Sequence, residues 1–289
     1  MTLHPDAPTM VPPARTDAGI RSLLVHVEAS PEAAPRLDVA VDLARKCDAT
    51  LVGLGAEMFQ TLSDPYGMFG GEWVVELQRL TEDSLKRAQA TFKAKTGDLQ
   101  TQWLSSETFP GKAMARLARS ADLIVAGGAP LKMQDVYRTS DTAELVMTSG
   151  RPVLVAPPAG GKFHGDAVVI AWKDTRESRR AVADSLPLLK AAEAVVVLEV
   201  CEMDTIEDGK LHTADVVQYL NRHGIAARAK AIVAQPQDVS MELNNLARTI
   251  DADLIVAGAY GHTRMGEWAF GGVTYELLHS PERFVLLSH

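Results

Sequence analysis

The heptapeptide ADLIVAG occurs twice, at Ala121–Gly127 and at Ala252–Gly258, 131 residues apart. An identity of that length constrains the chain to fold as two copies of one unit. The same offset runs on without a gap to the last apolar segments, laying PVLVA (Pro152–Ala156) on RFVLL (Arg283–Leu287). Upstream, LLVHVEASPEA (Leu23–Ala33) matches VVIAWKDTRES (Val168–Ser178) at an offset of 145. The offsets differ by 14 residues, which places extra chain in the first copy, around Phe59–Trp73. The organisation expected is therefore a flexible tail over 1–19, a first domain over 20–158 and a second over 159–289. The tail has four prolines and no apolar core, so it reads as neither a folded element nor a signal peptide.

Within each copy, apolar runs rich in β-branched residues alternate with helical patterns. In the second copy AVVIAW, AVVVLEVC, ARAKAIVA, ADLIVAGA and RFVLLSH read as strands. Between them lie RESRRAVADSLPLLKAA, TADVVQYLNRHG, DVSMELNNLARTID and VTYELLHS, with apolar spacing near the helical period. The first copy repeats the order, with a longer helix near Trp73–Lys95. Continuous rather than alternating apolar strands imply a parallel α/β sheet covered on both faces.

The net charge of −8 argues against general nucleic-acid binding, because such a surface repels phosphate backbones. No apolar run approaches the length of a membrane span. Two cysteines, Cys47 and Cys201, form no metal or redox spacing, which points to a cytoplasmic setting. Gly53–Met58 offers an incomplete dinucleotide fingerprint, and Gly160–Lys162 lacks the upstream glycine of a phosphate-binding P-loop. His26, inside the first strand, reads as a packed core histidine, and the carboxylates read as solvated helix faces. No catalytic constellation and no metal site emerge, so the expectation is a protein that is not an enzyme.

The most informative segment follows the second ADLIVAG. Gly258-Ala-Tyr-Gly261, nine residues, then Gly271-Gly272-Val273-Thr274 join a buried strand to a helix. Ligands of open parallel sheets bind at the carboxyl ends of strands. Glycines there admit an anion to backbone N–H groups, and the next helix presents its positive end.

On these residues the chain resembles the universal stress protein family in its tandem two-domain form, over about residues 20–289. The family loop is G-x2-G-x9-G-(S/T), and Gly258, Gly261 and Gly271 match its glycines. The resemblance implies two open five-stranded, Rossmann-like parallel sheets of strand order 3-2-1-4-5, related by a pseudo-two-fold. It also implies pairing of the two halves through their last strands, with a homodimer as a further option. The ligand implied is an adenine nucleotide, ATP or AMP, with only nucleotide-associated Mg as metal. Its phosphates would lie on Gly258, Gly261, Gly271, Gly272 and Val273, with His262 and Arg264 supplying charge and Thr274 a hydroxyl. Ala171, Trp172, Lys173 and Asp174 would border the base. Two departures qualify this set: Gly272 stands where the family has Ser or Thr, and Lys173 where it has an aspartate closing the first strand. In the first copy Glu28 holds that acidic position, free to accept ribose or adenine hydrogen bonds. Its loop carries Pro130 and then Ser140-Asp141 opposite Gly271-Gly272. The first copy thus keeps the acid and loses the loop, and the second does the reverse. The function implied is a nucleotide-sensing regulator; the alternative is a stress-related scaffold with a vestigial cleft.

Overall fold

A computed structural model of the chain describes residues 19–58, 71–128, 136–260, 272–279 and 281–289. The tail, most of the 59–73 insertion, Pro130, and Gly261 to Gly271 with His262 and Arg264 lie outside the described residues.

The first half runs β1 (Ser22–His26), α1 (Ala33–Cys47), β2 (Thr50–Ala56), α2 (Gly71–Thr96), β3 (Thr101–Ser106), α3 (Pro110–Leu117), β4 (Leu123–Gly127), α4 (Thr142–Thr148) and β5 (Val153–Ala156). The second repeats it as β6 (Ala167–Trp172), α5 (Arg176–Leu189), β7 (Ala194–Cys201), α6 (Ile206–Arg222), β8 (Ala227–Val233), α7 (Val239–Thr249), β9 (Leu254–Gly258), α8 (Gly272–His279) and β10 (Phe284–Ser288). All strands join one sheet in the order β3-β2-β1-β4-β5-β10-β9-β6-β7-β8. Each half has the order 3-2-1-4-5, with parallel neighbours throughout. The single antiparallel pair among the described residues is β5 with β10.

That pair carries the symmetry. Leu154 faces Leu286, with Val153 opposite Leu287 and Val155 opposite Val285. The parallel ladders show which residues are equivalent, since Ile124 pairs with Val153 and Ile255 with Val285. Leu154 and Leu286 are therefore counterparts that face each other, and the pseudo-two-fold passes between them. The ladder also corrects the ungapped 131-residue match. Val153 corresponds to Val285, 132 residues on, so the second-half loop is one residue longer. Hydrogen-bonded register decides the matter, because a one-residue slip would turn every side chain to the other face. Thr142 then matches Thr274, and Asp141 matches Val273 rather than Gly272.

Central strands bury both faces, as continuous apolar runs require. Leu23, Val25, Val168 and Ile170 pack on the side of α1, α2, α5 and α6; Leu24, Ile124, Val169 and Ile255 pack on the side of α3, α4, α7 and α8. The outer strands β3 and β8 differ, being largely exposed, and Arg228 and Lys230 on β8 guard an open edge. Two glycines of the incomplete fingerprint have a packing reason. A Cβ on Gly53 would stand 2.6 Å from the Phe92 ring, and one on Gly55 would stand 2.7 Å from Trp103. Those two rings lie against each other at 5.2 Å. Helix α6 starts at Ile206, earlier than the periodicity suggested, and closes before Gly224 at φ 78°. Between β5 and β6 the chain turns through Gly160, Gly161 and Gly165, all at positive φ. The Asp253 carboxylate accepts the N–H groups of His164 and Gly165 there.

Candidate functional site: two crevices of opposite character

In each half the chain leaves the first strand to one side of the sheet and the fourth to the other. The crevice between the carboxyl ends of these strands is where an open α/β sheet receives ligands. Equivalent positions can be compared directly, since β1 and β6 occupy the same place in their ladders.

In the first half the chain fills its own crevice. His26 and Glu28 end β1 and are buried, and Arg36 reaches them from α1. The Arg36 guanidinium bonds the Glu28 carboxylate and donates from Nε to the His26 carbonyl at 2.9 Å. His26 Nε2 lies 3.1 Å from the Ala56 carbonyl and Nδ1 lies 3.3 Å from Glu28. The Ser30 hydroxyl donates to the other Glu28 oxygen at 3.2 Å. Glu28 is thus committed to its own neighbours and not free for a ribose. Burial alone lowers the Arg36 pKa to about 10. Next to it, buried Glu57 pairs with Arg138 at 2.8 Å. At α4, Asp141 caps the helix, accepting from Ala143 N at 2.8 Å and Glu144 N at 3.5 Å. Its carboxylate occupies the place where a helix start would otherwise meet an anion. The Thr142 hydroxyl donates to the Gly127 carbonyl at 2.7 Å.

His26 is a packed core residue, as its place in the strand implied. Burial foremost, then the charge of Arg36, depress its pKa to about 3. The unfolded chain binds that proton near pH 6.5 and the folded chain does not. Stability from this group is therefore complete above about pH 6.5 and declines as pH falls from there toward 3. The melting temperature should drop on acidification through that window. The drop should be smaller in His26→Gln, which keeps a donor for Ala56 and cannot titrate. Equal slopes in the two proteins would refute the assignment.

The second half inverts this arrangement. Ala171, Lys173 and Ala181 stand where the first half has His26, Glu28 and Arg36. Lys173 is exposed; Asp174 is also exposed and bonded by Arg179 at 2.5 Å, so it does not substitute for the missing acid. Without a guanidinium as spacer, α5 closes on β9. A Cβ on Gly258 would lie 2.6 Å from the Glu177 carbonyl carbon and 2.9 Å from Ser178 Cα. At Gly127 the nearest atom would be Arg36 Nη1, at 3.8 Å. Gly258 is thus required by helix packing, whatever it offers a phosphate. Gly272 opens α8 with nothing near its missing side chain, Val273 is half-buried and Thr274 is buried.

Ser288, Gly258, Trp172 and Glu199 lie side by side on β10, β9, β6 and β7, facing α5 and α6. Their first-half counterparts are Ala156, Gly127, Val27 and Gly55, none with a polar side chain. Of this row the sequence singled out Gly258 and Trp172 but not Ser288 or Glu199. Among the described residues, Trp172 Nε1 and Ser288 Oγ are buried without a hydrogen-bond partner. Buried Glu199 is met by His212 Nδ1 at 3.3 Å. Tyr260, at φ 62°, has its phenol pKa pushed up to about 12 by burial and then by the charge of Asp141. Tyr260 therefore stands within electrostatic reach of the Asp141 carboxylate. The residues expected to form the site fall into two groups. Ala171, Trp172, Lys173 and Gly258 gather at one strand-end row, while Gly272, Val273 and Thr274 stand at the start of α8.

Two parallel α/β units joined edge to edge, each with a strand-end crevice, define a tandem Rossmann-like protein. Among solved structures, a universal stress protein from Archaeoglobus fulgidus superposes with a TM-score of 0.66 at 15% identity, covering 92% of this chain and 95% of its own. A protein of unknown function from Pseudomonas aeruginosa does so at 0.59 and 17% identity, over 94% and 93%. No family model matches the sequence, and neither does any curated protein. The chain has the fold of a tandem universal stress protein. Among the described residues no helix is long and apolar enough to cross a membrane.

Proposed function

We propose that the chain is a cytoplasmic, non-catalytic universal stress protein that senses an adenine nucleotide, ATP or AMP with any Mg brought by the nucleotide, in its second half. The first domain, over 20–158, serves as the structural partner of the second, over 159–289. The observation that supports this reading is the contrast between the crevices. One is filled by His26, Glu28, Arg36 and the Asp141 cap, while its counterpart carries Ala171, Lys173 and Ala181 in the equivalent places. Two buried polar groups, Trp172 Nε1 and Ser288 Oγ, are left unpartnered beside it among the described residues. Such groups carry a desolvation cost that a bound polar molecule relieves. The loop between Gly258 and Gly272 then takes the phosphates.

Calorimetry with AMP and ATP tests the reading, together with Val273→Asp and Asp141→Val. The first change imports the carboxylate of the first half to the start of α8. A carboxylate a few Å from a phosphate repels it by about 1–4 kcal/mol, roughly one to three decades of affinity. Binding should be lost in Val273→Asp and kept in Asp141→Val, whose lost helix cap costs about 1 kcal/mol of stability. Loss only in Asp141→Val would place the site in the first half. The second reading, a scaffold with a vestigial cleft, draws on the closure of α5 over Gly258. Absence of nucleotide binding by the parent protein would favour it.

A further inference from the structure

We propose that the second-half crevice selects a nucleotide carrying a second phosphate, on its ribose 2′ or 3′ position, and that Lys173 receives it. This rests on the reading of the second half as an adenine-nucleotide site.

The donors and acceptors at the end of β6 support it. In the first half this place holds Glu28, which as a carboxylate only accepts hydrogen bonds and repels phosphate. In the second half Lys173 only donates. The adjacent Trp172 indole is also donor-only, and its Nε1 is buried and unpartnered. Ser288 Oγ, which also lacks a partner among the described residues, lies in the same row. Acceptors are scarce because neighbouring carboxylates are already engaged. Asp174 is held by Arg179 and Glu177 by Arg176, and Glu199 lies 3.3 Å from His212 Nδ1. Lys173 itself has no carboxylate within ion-pair distance among the described residues. Its field does reach the ends of the neighbouring strands. Burial raises the Cys201 thiol pKa and Glu199 adds to the rise, while Lys173 opposes it and Asp208 on α6 reinforces it. A cation with no acid of its own, beside an unpartnered donor, fits an oxyanion rather than a sugar hydroxyl. Nucleotide sites of parallel sheets use the same contrast, an acid for a free ribose hydroxyl and a cation for a ribose phosphate.

Ala171 and Ala181 stand in place of the imidazole and guanidinium of the first crevice, α5 draws in against β9, and the strand end presents Lys173 as an exposed cation.

The test is calorimetric titration with adenosine 3′,5′-bisphosphate, adenosine 2′,5′-bisphosphate and AMP. Each is run on the full chain and on Lys173→Glu, which recreates the first-half residue at an exposed position. One bisphosphate should bind the parent about tenfold or more tighter than AMP, the gain expected of one added charge pair near a protein surface. Which of the two it is identifies the ribose position. In Lys173→Glu the preference should vanish or reverse, the bisphosphate losing more affinity than AMP, with the melting temperature unchanged. Trp172 fluorescence, isolated by comparison with Trp172→Phe, should respond to the preferred bisphosphate. Equal affinity of the parent for all three ligands would overturn the proposal and leave the nucleotide site standing, as would a preference that survives Lys173→Glu. No binding of any of the three would overturn both.

Discussion

Gly258→Ala should be the most damaging single methyl group that can be added to the second half. The three atoms nearest the new Cβ would all be backbone, at Glu177 and Ser178 in the first turn of α5. Backbone cannot rotate away as a side chain can, so the helix must move or the strand must bend. Overpacking of this kind costs about 1–3 kcal/mol, and more where the obstacle is main chain. Because α5 also covers β9 and β10, the displacement spreads through the core rather than staying at the crevice. The expected result is a fall in the chemical denaturation midpoint with an unchanged slope, together with loss of any nucleotide binding. Gly127→Ala is the matched control. There the nearest atom to a Cβ is the end of the Arg36 side chain, at ordinary contact distance. Similar losses in the two variants would show that Gly258 is not set by α5.

Arg36→Met should rank with it in the first half. The substitution keeps most of the apolar stem and removes the charge. Glu28 would then remain buried with His26 and Ser30 as its remaining partners, and His26 is held neutral by its surroundings. Breaking one side of a buried ion pair costs about 3–5 kcal/mol, mostly from the stranded charge. The double variant Arg36→Met with Glu28→Gln should recover much of the loss, since neither charge is then left alone. Denaturant unfolding of the four proteins forms a cycle that measures this coupling. Additive losses, with no recovery, would contradict the pairing.

Much of this architecture was legible in the sequence. The repeated heptapeptide implied two equivalent units, and apolar strand runs separated by helical periods implied a parallel sheet in each. The one-residue slip after β9 was not legible, because PVLVA and RFVLL are apolar in either alignment and only the ladder distinguishes them. The buried ion pair was missed for a related reason. Arg36 lies on an amphipathic helix beside other charges, and its position in α1 looks like the solvated face until β4 is placed against it. A signal was nevertheless present, since Arg36 and Glu28 change together to Ala181 and Lys173 between the copies. Glu57, Glu177 and Glu199 likewise turn out buried, although carboxylates in such patterns read as surface. Gly258 was read as a phosphate contact from its loop, whereas the structure also shows a helix start pressed against it. The row formed by Ser288, Trp172 and Glu199 depends on residues from three separate strands, which only the sheet brings together.

The antiparallel seam between β5 and β10 has a consequence for how the chain is born. The strand that covers β5 is made 132 residues after it, on the order of ten seconds later at ordinary rates of ribosomal synthesis. During that interval the first half can complete its own five strands while the flank of β5 stays bare. A bare, apolar strand flank is a template for any complementary strand that arrives first. On a polysome, that competitor is β5 of the neighbouring nascent chain, which differs from the intended partner only as much as Val153–Ala156 differs from Val285–Ser288. The similarity that lets the two halves close on one another therefore also sets the hazard of mispairing between chains, and makes the rate of second-half synthesis part of what determines a correct fold.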